Sequence, residues 1–212
     1  MSEPGGSGRG PGRPARLTRE LVLDAAEELL DREGAGAVTI RAVAEALGVS
    51  PMALYRHVGD KDDLLLALVD RLAQRLPRPT LPDDPRERLL VLWVLLYEAL
   101  AEHSWLPEVL ARRRLMAPSV LWAVEAIHAA FRAAGLELQD AVLAYRLCWQ
   151  FTLGALLVRA GLAAPSVQEQ LRGAPDPERF PTLAAAAAGW RAAHGRDTYR
   201  ADIAALVDRL LE

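Results

Sequence analysis

The sequence holds very few of the residues that extracellular, metal-binding or catalytic proteins use. Among its 212 residues Cys148 is the only cysteine, so an internal disulfide is impossible and a reducing compartment fits. The 4 histidines are scattered without the spacing of metal ligands. Neither a nucleophile elbow nor a zinc-protease motif is present. We therefore expect no catalytic residue, no metal site and no cofactor, and an enzyme is the least favoured class.

Long uninterrupted apolar runs and a strong charge of one sign are also missing. The N-terminus is rich in Gly, Pro and Arg, so no signal peptide is expected. The longest apolar run, Leu147 to Val158, contains Gln150 and Thr152 and is predicted to be too short to span a bilayer. The net charge of −3 is nearly neutral, so any binding of nucleic acid must depend on local charge. With 51% hydrophobic residues, the chain is expected to be a packed globular protein of the cytoplasm with no membrane partner.

The stretch from Thr39 to Lys61 has the pattern of two short helices joined by a tight turn. Apolar residues recur at helical spacing in the first helix, at Ile40, Val43, Ala44 and Leu47. Gly48 stands where a left-handed residue ends a helix. Ser50 and Pro51 then suit the N-cap and first position of a second helix. This is the helix-turn-helix arrangement, which places its second helix in the major groove of DNA.

The surroundings of this stretch make the pattern more specific. A basic arm and an amphipathic helix precede it, it closes on ALYRHVGDKDDLL, and a long helical remainder follows. From Thr18 to Leu72, and most clearly in VSPMALYRHVGDKDDLL, the sequence resembles the tetracycline-repressor-like (TetR) family of bacterial transcription regulators. The remainder resembles the family only in length and helical layout. The resemblance implies a sequence-specific repressor that a small apolar ligand releases from a palindromic operator.

The resemblance also implies DNA contacts. Thr39 and Arg41 match backbone-phosphate and groove-edge positions. The positions that approach base edges match Ser50, Pro51, Met52, Ala53 and Arg56. The positions that hold phosphates match Tyr55, His57 and Lys61. Arg56 is the candidate for bidentate reading of a guanine, with a free surface arginine as the alternative.

The predicted fold is all-α, with an N-terminal three-helix helix-turn-helix DNA-binding domain and a larger C-terminal helical ligand-binding and dimerisation domain. Residues 1–16 are predicted to be a disordered arm that either reaches DNA or serves as a solubilising tail. Residues 17–76 form the DNA-binding domain with a connecting fourth helix, and residues 77–212 form the effector-binding and dimerisation domain. After the proline-rich segment we expect helices at Arg86–His103, Pro107–Arg114, Ser119–Ala134, Leu138–Gly161, Ser166–Leu171, Pro181–Ala193 and Thr198–Leu211.

Large aromatic residues are frequent in the C-terminal domain. Core packing is their ordinary role, but ligand pockets between helices are lined by the same side chains. Because the TetR family usually has an effector pocket, we predict one for an apolar or aromatic molecule. Its predicted lining is Trp93, Tyr97, Trp122, Tyr145, Trp149 and Thr152.

The helix Leu138–Gly161 is apolar nearly all round, so something must cover two of its faces. We predict a homodimer held by a four-helix bundle to which each chain gives this helix and its last one, as the family resemblance also implies. The predicted contact residues are Leu147, Phe151, Gly154, Ala155, Val158, Ile203, Leu206, Val207 and Leu210. These residues form one apolar stripe on each of the two helices. The alternative is that both stripes complete the core of a monomer. A second function also stays open, that of a DNA-bound structural or partner-recruiting protein without a small-molecule effector.

Overall fold

The computed structural model describes residues 17–113, 115–161, 176–186 and 197–212. Its helices are α1 (Arg19–Glu33), α2 (Ile40–Ala46), α3 (Pro51–Leu54), α4 (Lys61–Gln74), α5 (Pro85–Ala101), α6 (Leu106–Arg113), α7 (Leu121–Ala133), α8 (Leu138–Gly161) and α9 (Tyr199–Leu211). A single 3₁₀ turn, Pro118–Val120, precedes α7, and residues 181–186 are also helical. Because no strand occurs in these ranges, the all-α prediction is confirmed. The predicted arm 1–16, the predicted helix Ser166–Leu171 and the end of Pro181–Ala193 lie outside the described residues.

Short polar side chains start three of the first four helices. The hydroxyls of Thr18 and Thr39 accept hydrogen bonds from backbone N–H groups one turn on, and the carboxylate of Asp60 does the same at α4. Gly48 follows α2 with φ +65°, the left-handed conformation that glycine adopts without strain. Ser50 precedes α3 but makes no side-chain cap bond. The chain between residues 18 and 61 is therefore set mainly by local sequence.

The first hydrophobic core gathers the apolar faces of α1 to α4 around Leu54, Val58 and Leu68. It does not end at the predicted boundary of 76/77. The buried side chains of Leu106 and Val109, in α6, belong to the same core. The unit formed by α1 to α4 is thus packed directly against α6, a helix that the predicted boundary places in the other domain.

The second core is formed by α5, α7, α8 and α9, with Trp93 and Phe131 among its largest fully buried side chains. Among the described residues one helix, α8, is long and apolar enough to cross a membrane by length and composition alone. The apolar run inside it, Leu147 to Val158, is shorter than the helix, and a helix packed into the core of a protein meets the same two criteria. The helix continues through Gln150 and Thr152 for 24 residues, and the Thr152 hydroxyl donates to the Cys148 carbonyl one turn earlier in the same helix. The helix packs against α5, α6, α7 and α9 of its own chain.

A cluster of charges holds α4 against α1. The guanidinium of Arg71, whose side chain is 10% exposed, donates to Asp24 at 2.6 Å and to Glu27. A third carboxylate, that of Glu20, lies 3.5 Å away. A guanidinium with two such partners fixes both the spacing and the rotation of the two helices.

Replacing Arg71 with Met should lower the free energy of unfolding by about 2–3 kcal/mol, because it keeps the aliphatic stem and leaves clustered carboxylates unpaired. Urea denaturation at one fixed protein concentration measures this loss. The matched control is Arg209→Met, whose exposed ion pair with Glu212 should be worth less than about 0.5 kcal/mol. Equal losses in the two variants would contradict a fixing role for Arg71.

Candidate DNA-binding face and ligand cavity

The predicted recognition segment presents its side chains to solvent. Met52 is 73% exposed and Tyr55 50% exposed, which is unusual for large apolar and aromatic side chains. The other exposed members of the predicted set are Thr39, Arg41, Ser50, Pro51 and Arg56, whereas Ala53 and His57 are half-buried. The helix α3 ends at Leu54, so Tyr55, Arg56 and His57 lie in the turn that continues it. Most of the predicted DNA contacts are thus exposed on the surface in and next to α2 and α3.

Lys61 lies at the edge of this face with part of its hydrogen-bonding capacity used. Its Nζ donates to the backbone carbonyl of Ala35 at 3.1 Å, in the connection between α1 and α2. Burial lowers the pKa of Lys61, and the nearby charge of Arg113 lowers it further, while Asp62 opposes the shift. The ammonium still has donors to spare for a phosphate. Lys61 therefore has a structural role that the sequence did not indicate.

A cavity of about 570 Å³ lies between α4, α5, α6, α7 and α8. Its walls are mostly aliphatic, and Tyr145 and Trp149 are the aromatic side chains that line it. Its polar members are Arg75, Glu102, His103, Arg146 and Gln150. This combination of size, apolar walls and few polar groups is typical of a small-molecule site.

Four residues of the predicted pocket lie elsewhere. Trp93 is fully buried in the second core, and Trp122 packs under the guanidinium of Arg78 at 5.3 Å. Tyr97 stacks on Tyr199 with ring centroids 3.8 Å apart and lines a separate groove. Thr152 is fully buried, and its hydroxyl lies within hydrogen-bonding distance of Tyr199. These side chains pack in the second core, in the interface of α5, α7, α8 and α9. Each lies on a face of its helix that does not line the cavity.

A buried polar network occupies the middle of that interface. The Thr152 hydroxyl lies 2.7 Å from the hydroxyl of Tyr199, which is also 3.3 Å from the carbonyl of Trp93. Burial raises the pKa of Tyr199, and it raises the pKa of the neighbouring Cys148 thiol to about 12. Both groups are therefore neutral in the folded protein at physiological pH. This network is structural.

The side chains missed by the sequence prediction are the aliphatic cavity walls. They come from helices far apart in the chain and include Val69, Leu72, Leu100, Leu106, Leu110, Val124 and Leu153. Single aliphatic residues at helical spacing carry no sign of a cavity, since the same spacing builds a core. A detectable signal was the pair Arg146 and Gln150, two polar residues that flank Trp149 in an otherwise apolar helix.

Polar contacts connect the cavity walls with the DNA-binding unit. His103 lines the cavity and its Nδ1 lies 3.4 Å from Asp31 of α1, which also accepts a hydrogen bond from the Trp105 indole at 2.8 Å. At the other end of α6, Arg113 donates to Asp62, the residue after Lys61. The helix α6 is therefore pinned to α1 and to the start of α4 while its middle forms a cavity wall.

The predicted dimer stripes differ in how they are covered. On α8, Leu147 is 47% and Val158 65% exposed, Gly154 is exposed, and Phe151 and Ala155 are half-buried. On α9, Leu206 and Leu210 are half-buried, but Ile203 and Val207 are fully buried. Ile203 and Val207 are corrected to core residues, because α9 turns them toward α5 and α8 of its own chain. The exposed apolar stripe of α8 is also longer than predicted and includes Leu143.

Family profiles match both parts of the chain. Residues 22–68 match the profile "Bacterial regulatory proteins, tetR family", and residues 78–199 match "Tetracyclin repressor-like, C-terminal domain". The chain belongs to the TetR family. Its helix-turn-helix unit is thus followed by the larger C-terminal domain of TetR regulators, as predicted.

Individual relatives of this TetR-family chain agree with that assignment. The transcriptional repressor DrrR1 of Streptomyces coeruleorubidus is 32% identical over 154 residues, which cover 70% of this chain and 57% of the repressor. The chain thus spans about three fifths of the length of the relatives it matches. ActR from Streptomyces coelicolor, solved with actinorhodin, shares the fold with a TM-score of 0.78 at 23% identity, over 93% of this chain and 96% of ActR. BioQ, solved with its double-stranded DNA operator, matches with a TM-score of 0.66 at 25% identity. The match covers 92% of this chain and 98% of BioQ.

The burial of Cys148 predicts an inert thiol. At pH 8 a thiol with a pKa of about 12 is about a thousandfold less ionised than an ordinary cysteine, so the folded protein should react correspondingly slowly with a disulfide reagent. In denaturing urea the same thiol should react at the rate of a free cysteine. Time-resolved labelling at pH 8 measures both rates. Fast stoichiometric labelling of the folded protein would contradict the described packing of α8.

Proposed function

We propose that this TetR-family chain is a homodimeric repressor that binds an inverted repeat in duplex DNA and is released when a small, mainly apolar molecule enters the cavity. It acts in the cytoplasm, at the nucleoid. The observation that carries the proposal is the position of α4. This helix directly follows the recognition segment, and its Val69, Leu72 and Ala73 line the cavity. A molecule that shifts α4 therefore shifts the DNA-binding face.

The exposed set around α3 supports binding to duplex DNA. Arg41 and Arg56 are cationic and exposed, and Tyr55 and Lys61 bring further hydrogen-bond donors to the same face. Phosphate contacts would position the protein on the duplex. Arg56 would specify sequence by donating two hydrogen bonds to one guanine. The exposed Met52 side chain would make apolar contact with thymine methyl groups.

Replacing Arg56 with Ala should weaken binding to the preferred sequence by about 1–3 kcal/mol and relax specificity at one base pair. Lys61→Ala should weaken all sequences alike, since it removes a phosphate contact. Affinities for an inverted repeat and its single-base variants, measured at one salt concentration, separate the two effects. Arg32→Ala, at the far end of α1, is the control. Selection of bound sequences from a library of random DNA duplexes should enrich an inverted repeat. A selection that enriches none would contradict the proposal.

The exposed α8 stripe supports a dimer. A cytoplasmic helix with apolar residues exposed along several turns needs a cover, and a second copy offers an identical stripe. A Cβ added at Gly154 would meet nothing within 4 Å inside the chain, so this glycine leaves room on the outer side of α8. A facing helix could use that room to approach closely. Together with Leu206 and Leu210 of α9, such an interface would bury on the order of 2,000 Å².

A charge on this stripe should break the dimer without unfolding the chain. Val158→Glu is the sharper substitution, because Val158 is 65% exposed whereas Leu206 packs against the second core. We expect a monomer with unchanged helical content and no binding to the inverted repeat, as seen by sedimentation, circular dichroism and DNA titration. Leu121→Glu, at an exposed position of α7, is the matched control. A Val158→Glu protein that sediments as a dimer would contradict the assignment.

The contacts of α6 support ligand control of DNA binding. The helix provides Leu106 and Leu110 to the cavity, and the ion pair between Arg113 and Asp62 joins it to the start of α4. A ligand that displaces α6 would therefore also displace Asp62 and its neighbours, which lie beside the recognition segment. ActR has been solved with a bound small molecule in the same fold, which is in keeping with a ligand-binding role here.

A screen of mainly apolar compounds should yield molecules that raise the melting temperature and release operator DNA. For such a compound, Trp149→Ala should weaken binding about tenfold or more, because the ring forms part of the cavity floor. Trp122→Ala is the matched control, since Trp122 lies outside the cavity, and it should leave the affinity nearly unchanged. If no compound stabilises the protein or releases DNA, the partner-recruiting function replaces this proposal.

A further inference from the structure

The polar groups of the cavity are distributed unevenly, and this bears on the chemistry of its ligand. On α8, Arg146 and Gln150 are one helical turn apart and flank Trp149. Residues at this spacing are neighbours on a helix surface. A guanidinium and a carboxamide therefore lie together on α8 beside Trp149, which lines the cavity together with Tyr145.

Both side chains are exposed at the edge of the cavity, so their donors face water and are open to a ligand. Neither Arg146 nor Gln150 makes a hydrogen bond or ion pair with a described residue, whereas Arg75 faces Glu27 at 3.9 Å and His103 faces Asp31 at 3.4 Å. The formal charge of the lining, two arginines against the single carboxylate of Glu102, is net positive. A ligand group that replaces water at these donors must accept hydrogen bonds, and the net positive lining favours a negatively charged one.

We infer that the cavity takes a planar aromatic molecule with one carboxylate at its edge, which Arg146 and Gln150 hold while the rings lie against Trp149. This rests on the proposed function, since it names the ligand class of the same site. The guanidinium matches the carboxylate with two parallel N–H donors, and the Gln150 amide adds a third. The aliphatic side chains from α4 and α6 would cover the other face of the ligand rings. They offer no polar group that could bind the ligand carboxylate.

The position of the pair next to the exposed α8 stripe strengthens this contact. Gln150 is a helix neighbour of both Leu147 and Gly154, so the edge of the cavity borders the surface assigned to the dimer. Covering that surface with a second copy would exclude water from the mouth of the cavity. Charge-assisted hydrogen bonds contribute more when water is excluded.

Three matched probes test the inference on the full-length protein. These are anthracene-2-carboxylate, the neutral anthracene-2-carboxamide and the cationic (anthracen-2-yl)methylammonium, each followed by its own fluorescence. The carboxylate should bind about tenfold more tightly than the carboxamide, and the ammonium should bind most weakly. Arg146→Met should remove the carboxylate preference and leave carboxamide binding within about twofold, which also reports that the cavity is intact. Arg112→Met, at an exposed arginine of α6 outside the cavity, should leave the preference unchanged.

Equal affinities for carboxylate and carboxamide would overturn the inference, as would tighter binding of the ammonium or no binding of any probe. A carboxylate preference that survives Arg146→Met would overturn it as well. Release of operator DNA is measured separately with the same probes. If the carboxylate binds through Arg146 but DNA stays bound, the ligand class stands and the proposed effector role fails. If all probes release DNA equally, the proposed function stands and the ligand class fails.

Discussion

The structure depends on the fact that one helix, α4, must satisfy two environments at once. Its buried face, with Leu64 and Leu68, completes the core of the DNA-binding unit. Arg71 locks it to three carboxylates of α1, and Asp70 accepts a hydrogen bond from the Ser119 backbone at the start of the second unit. Burial alone would raise the pKa of Asp70, but the bonds from Ser119 and Gln74 lower it, so Asp70 is ionised at neutral pH. Because α4 is fixed on both sides, a change at the cavity cannot be absorbed by α4 alone.

Much of this architecture could be predicted because it is encoded locally. The threonine and aspartate caps, Gly48 and the apolar periodicity of α1 to α4 are short-range features, and each fixes a helix end or a buried face by itself. The 24 residues of α8 were located correctly for the same reason. Around α3 the exposed side chains of Met52, Tyr55 and Arg56 followed from helical spacing plus the family resemblance.

What could not be predicted depends on how distant helices meet. The packing of α6 into the first core is invisible in the sequence, where α6 follows the proline-rich segment and reads as part of the second unit. Ile203 and Val207 form an apolar stripe whether a helix faces its own core or a partner, so the pattern could not decide between them. The cavity is lined by aliphatic residues of five helices, whereas the aromatic side chains of Trp93 and Trp122 pack elsewhere. The bond of Lys61 to the Ala35 carbonyl likewise arises only in three dimensions.

The central claim is that cavity and DNA-binding face are coupled through α4 and α6. Coupling between two sites is reciprocal, so a compound that weakens operator binding must itself be weakened by operator DNA to the same extent. The most direct measurement is the dissociation constant of a DNA-releasing compound with and without saturating operator. The account predicts a difference of about 5- to 150-fold, equal to the loss of operator affinity. Identical dissociation constants in the two conditions would contradict the claim that the two sites share this coupling.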